Sequence, residues 1–180
     1  MENRPVNLVF AGNVGEMQSV ETIIRAAEKL KNNPMINWHI VGSGSSMKKC
    51  QKLSDELGLK DIVTLSANEV VSYTLPNKVQ SYMTAGKPIL GAIDGETRLI
   101  IHEAGCGLCC GAENHEGLAQ IAVQFAEEIE KRAGYGKKAR EYYDKYFKKN
   151  IFINELLNML EGLNEFEKGD SKCSRVKHYL

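Results

Sequence analysis

The sequence lacks an excess of charge of either sign. Lys and Arg together number 23, as do Asp and Glu, so the formal net charge of the 180-residue chain is zero. Nucleic-acid-binding proteins and proteins that dock on acidic membranes usually carry a basic excess. The composition therefore argues against both classes, and we expect no nucleic acid among the partners.

The chain also lacks a long apolar run. No stretch approaches the ~20 apolar residues that a membrane-spanning helix needs, so we expect no membrane-spanning segment. The first ten residues, MENRPVNLVF, have neither the apolar core nor the cleavage site of a secretory signal peptide. We therefore expect a soluble, cytoplasmic protein.

The chain lacks a fully paired set of cysteines, because their number is odd. Five cysteines in a chain of this length do not indicate the disulfide framework of a small secreted domain. Cys106 and Cys109 have the C-x-x-C spacing of some zinc and redox sites. No second pair or nearby group of histidines completes such a site, so we expect ordinary buried thiols.

Strand and helix patterns alternate along the chain. Five short apolar runs predict β-strands, at residues 8–11, 36–41, 61–65, 89–93 and 107–110. Helical spacing of apolar residues predicts a helix after Ser19, its N-cap, and another from Met47 that stops at Gly58. Two or three further helices follow the last strand, the first with Asn114 as its cap. This alternation predicts a mostly parallel α/β sheet in one domain, residues 1–164. The tail, residues 165–180, loses periodicity, and we expect it to be disordered.

Ligands of such sheets bind beyond the carboxyl ends of the strands. Three loops rich in glycine or polar residues fall there, at residues 12–15, 42–44 and 72–78. Each precedes a helix whose first amide groups can donate to an anion. Neither the G-x-G-x-x-G motif nor the P-loop lysine motif is present. The loops together predict a phosphorylated ligand.

The third loop opens the most informative stretch, SYTLPNKVQSYMTAGKPILGAIDGE at residues 72–96. Asn77 and Gln80 have capping-box spacing, and Gly86 suits the end of the same helix. Lys78 adds a cation to this helix start. The turn from Asp94 to Glu96 fits a tight turn before an acidic helix start.

Four segments carry a family resemblance. FAGNVGEMQSVETIIRAAEKL, WHIVGSGS, TLPNKVQSYMTAGKPILGAIDGE and EAGCGL occur in this order. The series resembles the C-terminal, nucleotide-sugar-binding half of GT-B glycosyltransferases of family 4. It is most similar to bacterial surface-polysaccharide members with the motif P-[SN]-K-x-x-x-Y-M-x-A-G-K-P. The resemblance covers residues 6–160.

The resemblance implies a Rossmann-like, doubly wound parallel sheet and the transfer of a sugar from a UDP- or GDP-sugar to an acceptor hydroxyl. It implies no metal and no other cofactor. The partner it implies is an acceptor-binding N-terminal half, in the same chain or a separate polypeptide. That half could bring the protein to the inner face of the membrane.

The resemblance also implies a donor-binding site, carried over by position. Its residues are Gly12, Asn13, Gly15, Gln18, Gly42, Gly44, Ser72, Tyr73, Thr74, Leu75, Lys78, Ser81, Asp94 and Glu96. For the last two the resemblance implies hydrogen bonds to hydroxyls of the donor sugar, and the plain turn before an acidic helix start fits them equally. Many members have Arg and Lys where this chain has Asn13 and Gln18, and glutamates where it has Tyr73 and Ser81. Neutral groups bind phosphate more weakly than charged ones, so Lys78 is the main candidate cation.

No catalytic base can be assigned, because an exposed helix face explains His102 and Glu103 better than catalysis does. The chain is also shorter than the family pattern after Asp61, with too few residues before Tyr73 for another crossover. The resemblance then implies that an edge strand and its helix are missing, which leaves about five strands in the order 2-1-3-4-5. Two alternatives remain open, a non-catalytic nucleotide-sugar-binding or interaction module and a flavodoxin-like domain for another phosphorylated ligand.

Overall fold

The structure is a computed structural model that describes residues 5–67 and 78–166, without the side chains of 161–166. Strands and helices alternate as predicted. In chain order the elements of the described residues are β1 Val6–Ala11, α1 Val20–Lys29, β2 Ile36–Gly42, α2 Met47–Glu56, β3 Val63–Ala67, α3 Lys78–Thr84, β4 Ile89–Ala92, α4 Glu96–Ala104, β5 Gly107–Cys110, α5 His115–Glu127, α6 Ile129–Tyr146 and α7 Lys149–Phe166.

The five strands form two parallel ladders, β1-β2-β3 and β4-β5. Val6 lies opposite Ile36 where β1 pairs with β2, and Ile89 lies opposite Gly107 where β4 pairs with β5. Parallel pairing was predicted and is confirmed. The third strand begins and ends two residues later than predicted, at Val63 and Ala67.

The predicted strand order 2-1-3-4-5 is wrong, because it places β3 beside β1. In the structure β3 pairs with β2, with Trp38 opposite Val63 and Gly42 opposite Ala67. β3 therefore lies at the edge of its ladder, and the implied loss of a strand and its helix stays a prediction. The physical reason is the short connection through α2, which joins neighbouring strands. Within the described ranges, one edge of β1 and one edge of β4 are left without a strand.

Two apolar clusters support the two ladders. The larger cluster packs α1 and α5 against β2, through residues such as Ile24, Ile40 and Leu118. The smaller cluster surrounds Met83 and Ile101, which are both fully buried, and joins α3, α4 and α6 to β4. Burying one such side chain contributes about 1.5–3 kcal/mol. The clusters thus attach α5 to the first ladder and α3 to the second.

The helix ends agree with the sequence in part. Asn114 caps α5 as predicted, since its Oδ1 accepts a hydrogen bond from the amide of Gly117 at 2.8 Å. Ser19 precedes α1, but its hydroxyl donates to Glu113 instead of capping the helix. Gly58 and Gly86 follow α2 and α3 in the left-handed conformation, as expected of helix stops. The predicted capping box at Asn77 and the tail at residues 167–180 lie outside the described residues.

Helix α7 has an apolar face that is about half exposed. Its exposed members are Phe152, Ile153, Leu156, Leu157, Met159 and Leu160. None of the helices that the structure describes is both long and apolar enough to cross a membrane.

Candidate active site

The first two glycine loops meet backbone to backbone. Gly12 follows β1 with φ of 148°, and Gly42 ends β2 with φ of 157°. A Cβ atom on Gly42 would overlap the carbonyl oxygen of Gly12. Both positions thus need glycine, for their conformation and for their close approach. The contact brings two predicted donor-binding loops together at the carboxyl edge of the sheet.

Asn13 and Gln18 are hydrogen-bonded to each other. The Asn13 amide donates to Gln18 Oε1 at 3.3 Å, and the backbone amide of Gly15 donates to the same oxygen at 3.2 Å. Gly44 lies on the other side of Asn13, since a Cβ there would be 2.6 Å from Asn13 Oδ1. These four predicted site residues therefore form one neutral, polar cluster. Gly12 and Gly42, whose backbones meet, lie beside it.

Lys78 lies directly over the first glycine loop. Its ammonium is 3.5 Å from the carbonyl oxygen of Asn13 and 4.2 Å from the centre of the Phe10 ring, where it makes a cation–π contact. Its side chain also fills the space beside Gly12. Burial lowers the pKa of this ammonium. In the described part of the chain it has no carboxylate within ion-pairing distance, so its charge is available to an anion.

Tyr82 fixes the helix that carries Lys78, and the sequence analysis missed it. Its hydroxyl lies 3.0 Å from the amide nitrogen of Ala11, from which it accepts a hydrogen bond, and 3.3 Å from the carbonyl oxygen of Ala11. Burial is the main reason that the pKa of Tyr82 is raised. The signal in the sequence was the spacing, because residues 78 and 82 lie one turn apart on the same helix face.

The acidic turn has a structural role in the fold. One Asp94 oxygen accepts from Arg98 at 3.1 Å, and the other accepts from the amide of Ala112 at 3.0 Å. Gly95 precedes α4 with φ of 71°, and Glu96 lies exposed in its first turn. Among the described residues, no recorded contact joins Asp94 or Glu96 to the glycine loops. The turn and acidic helix start are both present, and a contact with sugar hydroxyls stays a prediction.

The remaining predicted positions fall into two groups. Ser72, Tyr73, Thr74 and Leu75 lie outside the described residues. Ser81 is on the exposed face of α3, and His102 and Glu103 are exposed on α4, as expected of a solvated face.

Burial, with the carboxylate of Glu103 nearby, raises the pKa of Tyr142 to about 12.

The cysteines of the C-x-x-C pair are free, and Cys106 is fully buried. Burial raises the pKa of its thiol to about 11. Across residues 5–67 and 78–166, no group of three His, Cys, Asp or Glu side chains is placed to hold a metal ion. The structure therefore describes Cys106 as the buried thiol that was predicted.

Two cavities open near the glycine loops. One, of about 960 Å³, lies between β1 and β4, with Gln18, Lys78 and Glu113 among its lining residues. The other, of about 440 Å³, lies between the starts of α1 and α2. Both cations that line the smaller cavity are paired with Glu21, Arg25 at 2.8 Å and Lys49 at 3.1 Å. Lys78 is therefore the better anion ligand.

Comparison with known proteins shows which glycosyltransferases the chain is similar to. The family model described as glycosyl transferases group 1 matches residues 2–71. The chain is 22% identical to the putative colanic acid biosynthesis glycosyl transferase WcaI of Escherichia coli (strain K12). That match covers 86% of this chain and 43% of WcaI. The chain thus spans less than half the length of this curated relative.

Solved structures share the fold. The crystal structure of Anabaena Alr3699/HepE in complex with UDP aligns with a TM-score of 0.74 and 16% identity, over 87% of this chain and 49% of HepE. The C-terminal domain of the glycosyl transferase group 1 family protein LpcC from Francisella tularensis aligns with a TM-score of 0.60 and 13% identity. That alignment covers 81% of this chain and 89% of the LpcC domain. The chain therefore has the α/β fold of GT-B glycosyltransferases, and its N-terminal part matches the glycosyl transferases group 1 domain.

Proposed function

We propose that this chain is the donor-binding half of a glycosyltransferase of the GT-B type, family 4. It would bind a UDP- or GDP-sugar and take part in cell-surface polysaccharide synthesis at the inner face of the membrane. The observation that carries the proposal is the position of the Lys78 ammonium over Gly12, 3.5 Å from the carbonyl oxygen of Asn13. The relation to WcaI and to the UDP complex of HepE supports the nucleotide and the pathway.

In this proposal the diphosphate lies against the loop that contains Gly12, Asn13 and Gly15. Backbone amides and the Asn13 side chain would donate to it, and Lys78 would neutralise part of its charge. Partial burial strengthens that attraction, since the effective dielectric is lower than in water. Ser72, Tyr73, Thr74 and Leu75 remain proposed contacts of the donor.

The reaction breaks the bond between the sugar and the diphosphate oxygen and forms a bond between the sugar and the acceptor oxygen. The nucleoside diphosphate leaves as an anion, so a cation beside it stabilises the charge that develops. The acceptor hydroxyl loses its proton to a base that we assign to the acceptor-binding half. That half is the proposed partner, in the same chain or in another, and the proposed chemistry uses no metal.

A second candidate function, a nucleotide-sugar-binding module without activity of its own, is favoured by the Asn13–Gln18 hydrogen bond. These two side chains occupy the positions where the resemblance implies cations, and here they are neutral and satisfy each other. Such a site binds phosphate through fewer charges. Glycosyl transfer in the presence of an acceptor half separates the two functions.

Calorimetric titration of the chain with UDP, GDP and their sugars tests the proposed site. We expect saturable binding of at least one ligand and a loss of about tenfold in affinity for Lys78→Ala, which removes one charged contact. Lys52→Ala is the matched control, because Lys52 pairs with Glu56 on the exposed face of α2. Absence of binding at millimolar ligand, or equal affinity of both variants, would contradict the proposed site.

A further inference from the structure

Two residues other than glycine adopt a left-handed conformation within the described ranges, Ser19 with φ of 42° and Glu113 with φ of 58°. They are 94 positions apart in the chain, yet the Ser19 hydroxyl donates to Glu113 Oε1 at 3.1 Å. The left-handed region is unfavourable for a residue that has a Cβ atom. Two strained positions therefore meet in one hydrogen bond.

Glycine occupies comparable turns elsewhere in the chain. Gly58, Gly86 and Gly105 follow α2, α3 and α4 with φ of 67°, 60° and 55°. Glycine would also make the turns at residues 19 and 113 with less strain. A serine and a glutamate at these two positions therefore need another reason, and their hydrogen bond supplies one because it uses both side chains.

Stability alone does not account for the Ser19–Glu113 bond. Ser19 is half-buried and Glu113 is exposed, so the bond competes with the solvation of both groups by water. The backbone strain at the two positions offsets part of what the bond contributes. Residues that are held in strained conformations cluster at functional sites, which directs attention to what the bond holds in place.

Ser19 belongs to the turn that leads from the first glycine loop into α1. Its amide donates to the carbonyl oxygen of Glu16 at 3.1 Å. The residue before it is Gln18, whose Oε1 accepts from the Asn13 side chain and from the amide of Gly15. The conformation of Ser19 thus sets how Gln18 enters the neutral cluster of the candidate site.

Glu113 is anchored through its neighbours on both sides. The amide of Ala112 donates to Asp94 Oδ2 at 3.0 Å, and the side chain of Asn114 caps α5. A strained conformation persists where the surrounding contacts fix it in this way. The loop between β5 and α5 therefore presents the Glu113 carboxylate to Ser19 from a fixed position.

These contacts connect two parts of the predicted donor site. They run from Gln18 and Ser19, after the first glycine loop, to Glu113. From the neighbouring Ala112 they continue to Asp94 in the acidic turn. The loop between β5 and α5 is thus a bridge between the first glycine loop and the acidic turn, which do not contact each other directly among the described residues.

We propose that Ser19 and Glu113 are positioning residues of the donor site, a role that rests on the function proposed above. Their hydrogen bond holds the turn at residues 15–19. Gln18 then keeps the Asn13 side chain and the Gly15 amide in place, where the diphosphate is proposed to lie. Neither Ser19 nor Glu113 touches the nucleotide in this proposal, since both act through Gln18.

Glycine at position 113 separates positioning from a structural role. Glu113→Gly removes the carboxylate and relieves the left-handed strain, so the midpoint of urea denaturation should not fall. Calorimetric titration with UDP and GDP should nevertheless show about fivefold weaker binding, which corresponds to the loss of one hydrogen bond. A merely structural contact would lower stability and affinity together.

Two further variants control for charge and for contacts between α5 and α1. Glu113→Gln keeps an oxygen that accepts from Ser19, and its affinity should stay within about twofold of the unaltered chain. Glu116→Ala removes an ion pair with Lys29 at 3.3 Å, at the far end of α1, and should leave affinity unchanged. The double variant with Ser19→Gly and Glu113→Gly should bind no more weakly than either single variant, because both remove the same interaction.

Amide hydrogen exchange, measured by NMR without ligand, gives a readout that does not depend on the nucleotide. In Glu113→Gly the amides of Gly15, Gln18 and Ser19 should exchange about fivefold faster, while that of Ile24 inside α1 should not change. If the unaltered chain binds no nucleotide, the proposed function fails, and the exchange rates still decide whether the bond holds the turn.

Three results would overturn the positioning role. The first is unchanged exchange at residues 15–19 in Glu113→Gly. The second is nucleotide affinity in that variant equal to that of the unaltered chain. The third is an equal loss of affinity in Glu113→Gln, which would assign the effect to the charge of Glu113 and not to its bond with Ser19.

Discussion

The hydroxyl of Tyr82 lies 3.0 Å from the amide nitrogen of Ala11 and 3.3 Å from its carbonyl oxygen. This pair of contacts holds α3 at the carboxyl end of β1. Lys78, one turn earlier on α3, is thereby kept over Gly12 and beside Phe10. One tyrosine hydroxyl thus links the edge of the sheet to the candidate cation of the donor site.

Tyr82→Phe should lower both stability and nucleotide affinity. The variant keeps the ring but leaves the backbone groups of Ala11 without this partner, which costs about 1–2 kcal/mol in the free energy of unfolding. Urea denaturation measures this change. Tyr143→Phe is the control, because its ring contact with Phe147 survives the substitution. Equal stability of the two variants would show that the Tyr82 hydroxyl does not fix α3.

Gly42→Ala should be strongly destabilising. The added Cβ would overlap the carbonyl oxygen of Gly12, and the φ of 157° is unfavourable for alanine. We expect a loss of about 3 kcal/mol or more in the free energy of unfolding. Gly134→Ala in α6 is the matched control, since no atom lies within 4 Å of its added Cβ. That control should be neutral or stabilising by up to about 1 kcal/mol. A mild effect at Gly42 would mean that the two loops separate easily.

Nucleotide affinity should fall as the pH rises through the pKa of Lys78. Burial lowers that pKa, so the fall begins below the ~10.4 of an ordinary lysine. A bound diphosphate favours the charged ammonium, and binding is therefore strongest below this pKa. Titration with UDP between about pH 7 and 10 measures the fall. The Lys78→Ala variant corrects for ionisation of the base, and an equal fall in that variant would remove Lys78 from the site.

The lowered pKa of Lys78 has the opposite effect on stability, which should rise with pH while nucleotide affinity falls. Because the unfolded chain binds the Lys78 proton more tightly than the folded chain does, the free energy of unfolding gains a contribution as the pH rises through the lowered pKa. Lys78→Ala should lack this gain in urea denaturation curves recorded across the same pH range. A gain of the same size in both proteins would assign it to another group.

Cys106 should resist alkylation in the folded chain. Burial raises the pKa of its thiol to about 11, so little thiolate exists at neutral pH and the sulfur is inaccessible. Treatment with iodoacetamide at about pH 8, followed by mass spectrometry of the peptides, should label Cys106 only after unfolding. Rapid labelling of the folded chain would instead favour the redox interpretation of the C-x-x-C spacing.

The local pattern of apolar residues in the sequence predicted most of the strands and helices. Alternating buried positions in β2 and the helical spacing in α1 follow from one-dimensional periodicity, which tells which face of an element is buried. The order of strands is a different property, because periodicity does not say which strand is the neighbour. Placing β3 beside β1 was an error of this kind, and the short connection through α2 decides for β2.

The candidate site was predicted in part for the same reason. The sequence indicated that the glycine loops meet at one edge and that Lys78 replaces missing cations. It did not indicate the partner of Tyr82, since Ala11 is 71 residues away. Nor did it show that Asn13 and Gln18 bond to each other. Contacts between distant segments depend on packing, which a single sequence does not specify.

The central claim is that a nucleoside diphosphate binds at the first glycine loop beneath Lys78. Two-dimensional ¹H–¹⁵N NMR of the labelled chain, titrated with UDP and with GDP, tests it most directly. We predict saturable shifts that are largest at the amides of Gly12, Asn13, Gly15 and Gly44, and that weaken in Lys78→Ala. No shifts at millimolar nucleotide, or shifts confined to the cavity lined by Arg25 and Lys49, would contradict it.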